Sequence, residues 1–245
     1  MPDLDGRAAL VTGGTRGIGA AIAWSFLDAG AQVVVCGRGE PASPPSAGDR
    51  TARFVAADVR SAEEAAALVE RAASLMGRLD VLVNNAGGSP DADAATVSPR
   101  FVERVVQLNL LAPFYVAQPA NRVMQGQRTG GTIINIGSVS GTDPQPGTAA
   151  YTAAKAGLLA LTRALALEWA PKVRVNHITA GPVRTGATGY EGLGGVIPMG
   201  RPADPQDVAN ACLYLAGDLA SYVTGADLAV HGGGEVPARY VVTRN

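Results

Sequence analysis

The sequence predicts an α/β fold in which one doubly wound parallel sheet carries helices on both of its faces. Short segments rich in valine, isoleucine and alanine alternate along the chain with longer segments of helical periodicity. The short segments lack the apolar–polar alternation of a strand with one face in water, so both faces should be covered. Strands that alternate with helices in this way pair in parallel. The length of 245 residues suits a single domain over residues 1–245.

Seven short apolar segments are predicted as strands. The first runs into a glycine-rich turn, and the second contains three consecutive valines. Each has the usual length of a buried strand and is bounded by turn residues or by a helical pattern. The predicted strands span residues 8–12, 32–36, 53–57, 79–83, 132–136, 173–179 and 226–230.

Five helices are predicted from apolar periodicity and from the residues that begin or end helices. Ser61 and Glu64 have the spacing of a capping box, and Asp204 followed by Pro205 is a typical helix start. Pro171 ends the preceding helix because proline disfavours a helical conformation at the residue before it. The predicted helices span residues 17–29, 61–75, 99 to about 124, 151–170 and 205–216, and the third is either one helix or two joined near Pro113.

Two segments depart from this alternation. Residues 37–50 contain Pro41, Pro44 and Pro45, so the helix expected between the second and third strands should be replaced by a loop. Residues 186–195 contain five glycines, which is too flexible a composition for a core element. We expect a lid-like substrate loop over residues 185–198.

The composition excludes several classes of protein. Charged residues make up 17% of the chain and the net charge is -1, so neither a disordered chain nor a nucleic-acid partner is indicated. The N-terminus lacks the pattern of a signal peptide, and no apolar run has the length of a membrane span. The two cysteines, Cys36 and Cys212, are expected to be reduced thiols in a cytoplasmic protein. Two cysteines and two histidines without ligand-like spacing predict no metal site.

A glycine-rich turn follows the first strand and opens the first helix, between Thr12 and Gly19. Glycines at such a turn let the backbone approach a pyrophosphate, and the helix N-terminus supplies N–H donors. The alternative is a plain tight turn without a ligand. A nucleotide site is the more consistent interpretation, because a doubly wound fold binds its nucleotide at the turn between the first strand and the first helix. The candidate cofactor contacts in the turn are Gly13, Thr15, Arg16, Gly17, Ile18 and Gly19.

The end of the second strand carries an arginine where an acidic residue would bind the ribose 2′-hydroxyl of NAD. Arg38 lies nineteen positions after Gly19, and Arg16 lies in the glycine turn itself. Two guanidinium groups could converge on the 2′-phosphate of NADP, although either arginine alone could be a solvated surface residue. The sequence therefore favours NADP over NAD.

Three polar residues near the fifth strand and the fourth helix form a candidate catalytic group. Tyr151 and Lys155 share one helix face at about 6 Å along the axis. A cation at that distance favours the phenolate and lowers a tyrosine pKa from about 10, which suits a general acid/base. Ser138, at the end of the fifth strand, could donate a hydrogen bond to the substrate oxygen.

With these motifs the chain resembles the short-chain dehydrogenase/reductase family over essentially its whole length. The resemblance rests on the glycine turn, on Asn84-Asn85-Ala86-Gly87, on Asn109, on Ser138 with the Tyr151–Lys155 pair, and on Thr224-Gly225. It implies a single Rossmann-type sheet and an oxidoreductase acting on a ketone or a secondary alcohol. Residues 196–202, followed by Asp204-Pro205, are similar to the 3-oxoacyl-carrier-protein reductase branch of the family.

The resemblance also implies the roles of individual residues. Asn109, Ser138, Tyr151 and Lys155 would form a catalytic tetrad, in which Lys155 also binds the nicotinamide ribose and Asn109 holds a water molecule. After the sixth strand, Ala180 stands where the family usually has proline, which leaves the following loop less rigid. The remaining cofactor contacts would be Asp58 and Val59 near the adenine, Asn85, Ala86 and Gly87 in the groove, and Gly181, Val183 and Thr185 near the nicotinamide.

The first functional hypothesis is an NADP(H)-dependent enzyme that interconverts a ketone and a secondary alcohol, with 3-oxoacyl thioesters among the candidate ketones. The alternatives are an NAD-dependent secondary-alcohol or hydroxysteroid-type dehydrogenase and, more remotely, a non-catalytic nucleotide-sensing protein on the same fold. Helices from Pro99 and Tyr151 carry apolar residues on more than one face, which predicts a homotetramer. The substrate is expected near Gly88, Ser89, residues 139–144 and Tyr190.

Overall fold

The computed structural model describes residues 3–186 and 190–234. Its strands are β1 (Ala8–Thr12), β2 (Gln32–Gly37), β3 (Ser46–Ala47), β4 (Arg50–Thr51), β5 (Arg53–Ala56), β6 (Val81–Asn84), β7 (Gly131–Ile136), β8 (Val173–Ala180) and β9 (Asp227–Val230). Its α-helices are α1 (Gly17–Asp28), α2 (Ala62–Met76), α3 (Pro99–Val106), α4 (Ala112–Gly126), α5 (Ala149–Trp169) and α6 (Pro205–Ala216).

Seven of these strands form one parallel sheet in the order β5-β2-β1-β6-β7-β8-β9. The chain first proceeds outward from β1 through β2 to β5, and then returns to the other side of β1 at β6. A doubly wound sheet opens a crevice beyond the carboxyl ends of the strands where the direction of winding reverses. The predicted α/β fold is therefore confirmed, and the crevice is expected beyond β1 and β6.

Helices cover both faces of the sheet, as predicted. On one face Val11 and Ile134 pack in a cluster with Phe26 of α1 and with Cys212 of α6. On the other face the cluster contains residues of α2, α4 and α5, among them Leu68, Val116 and Leu165. Both cysteines are buried free thiols, and burial raises the pKa of Cys36 to about 11.

The predicted elements are found, and their ends differ from the predicted ones by at most two residues. The segment from Pro99 to Gly126 is continuous, because a π-helical turn, Gln107–Leu111, joins α3 to α4. Ser61 accepts a hydrogen bond from the Glu64 N–H (3.2 Å), but the Glu64 carboxylate accepts instead from the Asp58 N–H (2.8 Å). The predicted capping box is therefore only half formed.

The structure describes the whole of the first irregular segment, residues 37–50, but only part of the predicted lid, residues 185–198. No helix forms between β2 and β5, as predicted, and a short hairpin of β3 and β4 takes its place. In the predicted lid, residues 187–189 lie outside the described part of the chain, and Tyr190–Gly195 forms a 3-10 turn. Within the described residues, no helix has both the length and the apolar character needed to cross a membrane.

Candidate active site

Two adjoining cavities lie at the carboxyl edge of the sheet. The cofactor cavity, of about 640 Å³, is lined by the glycine turn and by the segments that follow β2, β5 and β6. The substrate cavity, of about 340 Å³, is lined by the segments that follow β7 and β8 and by the start of α5. Ile18, Asn85, Gly87 and Thr185 line both, so the two cavities form one continuous cleft.

The glycine turn is held closely against the end of β6. Thr12 Oγ1 accepts hydrogen bonds from the N–H groups of Asn85 and Ala86, both at 3.0 Å. The Asn85 side chain donates to the carbonyl oxygens of Thr12 (2.9 Å) and Gly13 (3.1 Å). A Cβ at position 19 would lie 2.3 Å from the Gly13 oxygen, so only glycine fits there. These bonds bring two parallel strand ends together at the crevice.

The geometry of the turn suits a bound pyrophosphate. Gly13 has a φ of 60°, a left-handed conformation that favours glycine. Arg16 is the N-cap of α1 and its side chain makes no capping hydrogen bond. The first N–H groups of a helix bind anions readily, and Arg16 to Gly19 line the cofactor cavity. The residues present therefore fit a dinucleotide cofactor.

The outer wall of the cofactor cavity carries three arginines. Arg16 and Arg38, both predicted, are exposed and line this cavity. Arg60 was not predicted, and its Nε donates to both carboxylate oxygens of Asp58, at 2.9 and 3.1 Å. This pairing with Arg60, together with the charge of Arg38, lowers the pKa of Asp58. Asp58 and Val59 line the same cavity. The negative charge that Asp58 brings to this cavity is therefore balanced by the guanidinium of Arg60.

Tyr151 and Lys155 project from the first two turns of α5 into the substrate cavity. The Lys155 ammonium lies 5.7 Å from the centre of the Tyr151 ring and donates to the Ile136 carbonyl oxygen at 2.7 Å. Lys155 is 4% exposed, and its burial lowers the pKa of the amine to about 8. A cation is thus fixed beside the phenol by a hydrogen bond to β7.

Ser138 follows β7 and is the N-cap of a 3-10 turn, Val139–Gly141. Its hydroxyl oxygen accepts a hydrogen bond from the Ser140 N–H at 3.2 Å, which leaves the hydroxyl hydrogen available to a ligand. A Cβ at position 141 would lie 3.0 Å from the Ala156 nitrogen, so the turn packs tightly on α5. The structure therefore brings Ser138, Tyr151 and Lys155 into one cavity.

Asn109 lies behind this cavity rather than in its lining. It is fully buried in the π-helical turn, where its side chain accepts from the Gly88 N–H (2.8 Å) and donates to the Gly88 oxygen (3.0 Å). It also donates to the Val105 oxygen at 2.9 Å. A Cβ at position 87 would lie 2.8 Å from Asn109 Oδ1 and 3.3 Å from Lys155 Nζ. Asn109 therefore holds the Gly87–Gly88 backbone against the lysine.

The segment after β8 is restrained although Ala180 replaces the usual proline. The Gly181 N–H donates to the Val230 oxygen, and a parallel bridge pairs Val183 with Ala203. Gly181, Val183 and Thr185 all line the substrate cavity, and the resemblance implies that they contact the nicotinamide. The side chain of Tyr190 lies outside what the structure describes.

The buried His177 of β8 pairs with the partly exposed Asp227 of the neighbouring strand β9. His177 Nδ1 lies 2.8 Å from Asp227 Oδ1, and the Thr179 hydroxyl donates to the same carboxylate. A Cβ at position 137 would lie 2.0 Å from the His177 ring, so Gly137 is required next to Ser138. No cluster of three or more histidine, cysteine or acidic residues that could hold a metal ion occurs in the described ranges.

Comparisons with known proteins find similar sequences over nearly the whole chain. Residues 13–235 match the family described as enoyl-(acyl carrier protein) reductase. The chain is 37% identical to the 3-oxoacyl-[acyl-carrier-protein] reductase FabG of Chlamydia muridarum, over 93% of this chain and 96% of that protein. It is 34% identical to the 3alpha-hydroxysteroid dehydrogenase of Mediterraneibacter gnavus, over 94% of this chain and 97% of that protein.

A solved structure gives the same result. A Sinorhizobium meliloti 1021 protein assigned to the short-chain alcohol dehydrogenases superposes with a TM-score of 0.86 and 36% identity, over 94% of this chain and 97% of that one. Sequence and fold therefore agree over nearly the whole chain. The protein belongs to the short-chain dehydrogenase/reductase family of oxidoreductases, which act on CH–OH groups with a nicotinamide cofactor.

Proposed function

We propose that this protein is an NADP(H)-dependent oxidoreductase that interconverts a ketone and a secondary alcohol, with Tyr151 as the general acid/base. The observation that carries the proposal is the continuity of the cleft, because Ser138, Tyr151 and Lys155 line a cavity that opens into the glycine-turn cavity. A hydride donor seated along the glycine turn would reach a carbonyl held between Ser138 and Tyr151.

Each side chain has a distinct task in this reaction. When bound, the nicotinamide ring supplies or accepts the hydride. In reduction, the Ser138 hydroxyl donates a hydrogen bond to the carbonyl oxygen as negative charge develops on it, and Tyr151 donates the proton. In oxidation, Tyr151 takes the proton from the alcohol. Lys155 stabilises the phenolate that remains after reduction, and the carbonyl of Ile136 fixes its position.

The charges of the cofactor cavity support NADP as the cofactor. Arg16 and Arg38 line it together, and Asp58, the one carboxylate that the described residues contribute to this lining, is already paired with Arg60. Each charge-assisted contact to a 2′-phosphate contributes about 1.5–3 kcal/mol. An acidic residue at the end of β2, which would favour NAD, is absent, since Gly37 and Arg38 occupy that place.

The exposed face of α5 supports a homotetramer. Leu167 is 85% exposed, and Ala153, Ala156, Ala160 and Ala164 form an exposed stripe along the same helix. An apolar helix face without a covering element favours association with a second subunit. We further propose a single domain over residues 1–245, a lid at residues 185–198, and a cytoplasmic location that suits two buried thiols.

The reaction is tested with Tyr151→Phe. A panel of ketones, 3-oxoacyl thioesters and secondary alcohols is screened by the absorbance of NADPH, and the best compound is used for the comparison. The variant should lose at least about a hundredfold in kcat while binding NADPH with little change, because the ring is kept and the transferable proton is lost.

Tyr222→Phe is the matched control, since Tyr222 is fully exposed and outside both cavities. A Tyr151→Phe enzyme with more than about a tenth of the kcat of the parent would show that another group transfers the proton.

A further inference from the structure

The substrate cavity has a polar wall opposite the glycine turn. Ser89 and Asp91 line it from the loop after β6, and Gln145 and Thr148 line it from the segment before α5. This wall faces the same space as Ser138 and Tyr151. Hydroxyl, amide and carboxylate groups at one site bind substrate hydroxyls, because each can accept or donate a hydrogen bond.

Asp91 is held in this wall by its neighbours in the chain. Gly88 exchanges two hydrogen bonds with the buried Asn109 side chain, and the Ala92 N–H donates to the Gly147 oxygen at 2.9 Å. The loop is thus attached at both ends, once to the π-helical turn and once to the segment before α5. A carboxylate on a fixed loop is preorganised for a ligand and loses little conformational entropy on binding.

The Asp91 carboxylate makes no hydrogen bond or ion pair with any residue that the structure describes. By contrast, the half-buried acids Asp204 and Asp207 are engaged, since they bind Arg184 and Arg201. The free carboxylate is therefore a hydrogen-bond acceptor that a substrate can satisfy.

The same cavity offers little to an anionic substrate. Lys155 is the one cation in the described lining, and its ammonium is committed to Ile136 and Tyr151. Residues 186–198 contain one acidic residue and no lysine, arginine or histidine. The cations that flank this segment, Arg184 and Arg201, are paired with carboxylates. A substrate carboxylate or phosphate would meet Asp91 without a compensating charge.

We propose that the substrate is a compact, hydroxylated alcohol or its ketone without negative charge, of the diol or polyol type, and that Asp91 determines this specificity. Asp91 accepts a hydrogen bond from a hydroxyl next to the reacting carbon, while Ser138 and Tyr151 hold the reacting oxygen. This inference rests on the proposed function. The specificity of the enzyme for hydroxylated substrates is, however, a separate property from hydride transfer and can be tested separately.

Four secondary alcohols with four carbons provide the test, because they share the reacting CH3–CH(OH) end and differ in the polar group, if any, that the other two carbons carry. They are butane-2,3-diol, butan-2-ol, 3-hydroxybutyrate and 3-aminobutan-2-ol, each measured as kcat/KM with NADP. We expect the diol to exceed butan-2-ol by about tenfold or more, which is the contribution of one hydrogen bond to a charged acceptor. The amino alcohol should equal or exceed the diol, and 3-hydroxybutyrate should be the slowest.

Asp91→Asn identifies the residue responsible. This substitution keeps the shape of the side chain and removes its charge. The ratio of kcat/KM for the diol to kcat/KM for 3-hydroxybutyrate should therefore fall by about three- to tenfold, which corresponds to the repulsion of two charges a few ångströms apart in a solvated cleft. Asp28→Asn is the control, since it makes the same change of charge on an exposed residue at the end of α1, outside both cavities. It should leave this ratio unchanged.

Each remaining outcome is decisive. An unchanged ratio in Asp91→Asn, or a preference for 3-hydroxybutyrate, overturns the inference. So does a preference for butan-2-ol and longer alkanols, which would place the substrate in the neighbouring apolar cavity beside Val97 and Phe101. Turnover of 3-oxoacyl thioesters without turnover of the diol overturns the inference and leaves the proposed reaction intact. Bound NADPH without turnover of any compound contradicts the proposed function, and the inference fails with it.

Discussion

Lys155→Met removes a charge that the fold keeps almost completely away from water. Burial lowers the pKa of this lysine from 10.5 to about 8, which corresponds to about 3 kcal/mol at 25 °C. Below pH 8 the lysine is protonated in both states, and the folded state bears the whole free-energy cost of the buried charge. Between pH 8 and 10.5 the folded protein releases the proton while the unfolded chain keeps it, so stability increases with pH.

The methionine variant lacks this titration. The free energy of unfolding of the parent, relative to Lys155→Met, should therefore rise by up to about 3 kcal/mol between pH 7 and pH 10.5. The variant also loses the hydrogen bond to Ile136, which adds a constant amount to the difference in the free energy of unfolding. Cys36 and Cys212 also titrate in alkaline solution, but they are common to both proteins and cancel in the difference.

Guanidinium unfolding at several pH values measures this difference. Lys172→Met is the control, because Lys172 is exposed and also donates to backbone carbonyl oxygens, those of Gln125 and Gln127. The control difference should stay constant with pH. A constant difference for Lys155→Met as well would refute the reasoning, since the lysine would then have the same pKa in both states.

Two further predictions concern the cofactor and the assembly. Arg38→Asp should lower kcat/KM with NADPH by about ten- to a hundredfold and change NADH use much less, measured at fixed salt, because a charge-assisted contact becomes repulsive. A parent enzyme that uses NADH as well as NADPH would contradict the assignment. Light scattering at micromolar concentration should give about four times the chain mass of 24.8 kDa, and a monomer would show that the exposed face of α5 needs no second subunit.

The elements of the fold were predictable because their signals are local. The strand-to-helix turn, the Ser61 cap and the helix end before Pro171 each depend on a few neighbouring residues. The π-helical turn at Gln107–Leu111 was not predicted, since the one extra residue of a single such turn changes the apolar pattern too little to be recognised over five residues. The capping box failed through a tertiary contact, because the Glu64 carboxylate binds Asp58 across the helix start.

In the candidate site, too, local features could be predicted from the sequence and tertiary contacts could not. Tyr151 and Lys155 are one helical turn apart, so their proximity follows from helix geometry. The hydrogen bond from Lys155 to Ile136, by contrast, depends on how α5 packs on β7. The role of His177 was not predictable, because no sequence pattern shows that its ring fills the space where a Cβ of residue 137 would lie.

Asn109 links the Gly87–Gly88 backbone to the π-helical turn. Its side chain holds Gly88, and Gly88 begins the loop that carries Asp91 to the substrate cavity. A Cβ at position 87 would lie 2.8 Å from Asn109 Oδ1 and 3.3 Å from Lys155 Nζ, so the amide and the ammonium lie on the same side of Gly87. A buried residue outside the lining of the cleft thus positions the start of the proposed polar wall, and the π-helical turn brings it beside the proposed proton-transfer group.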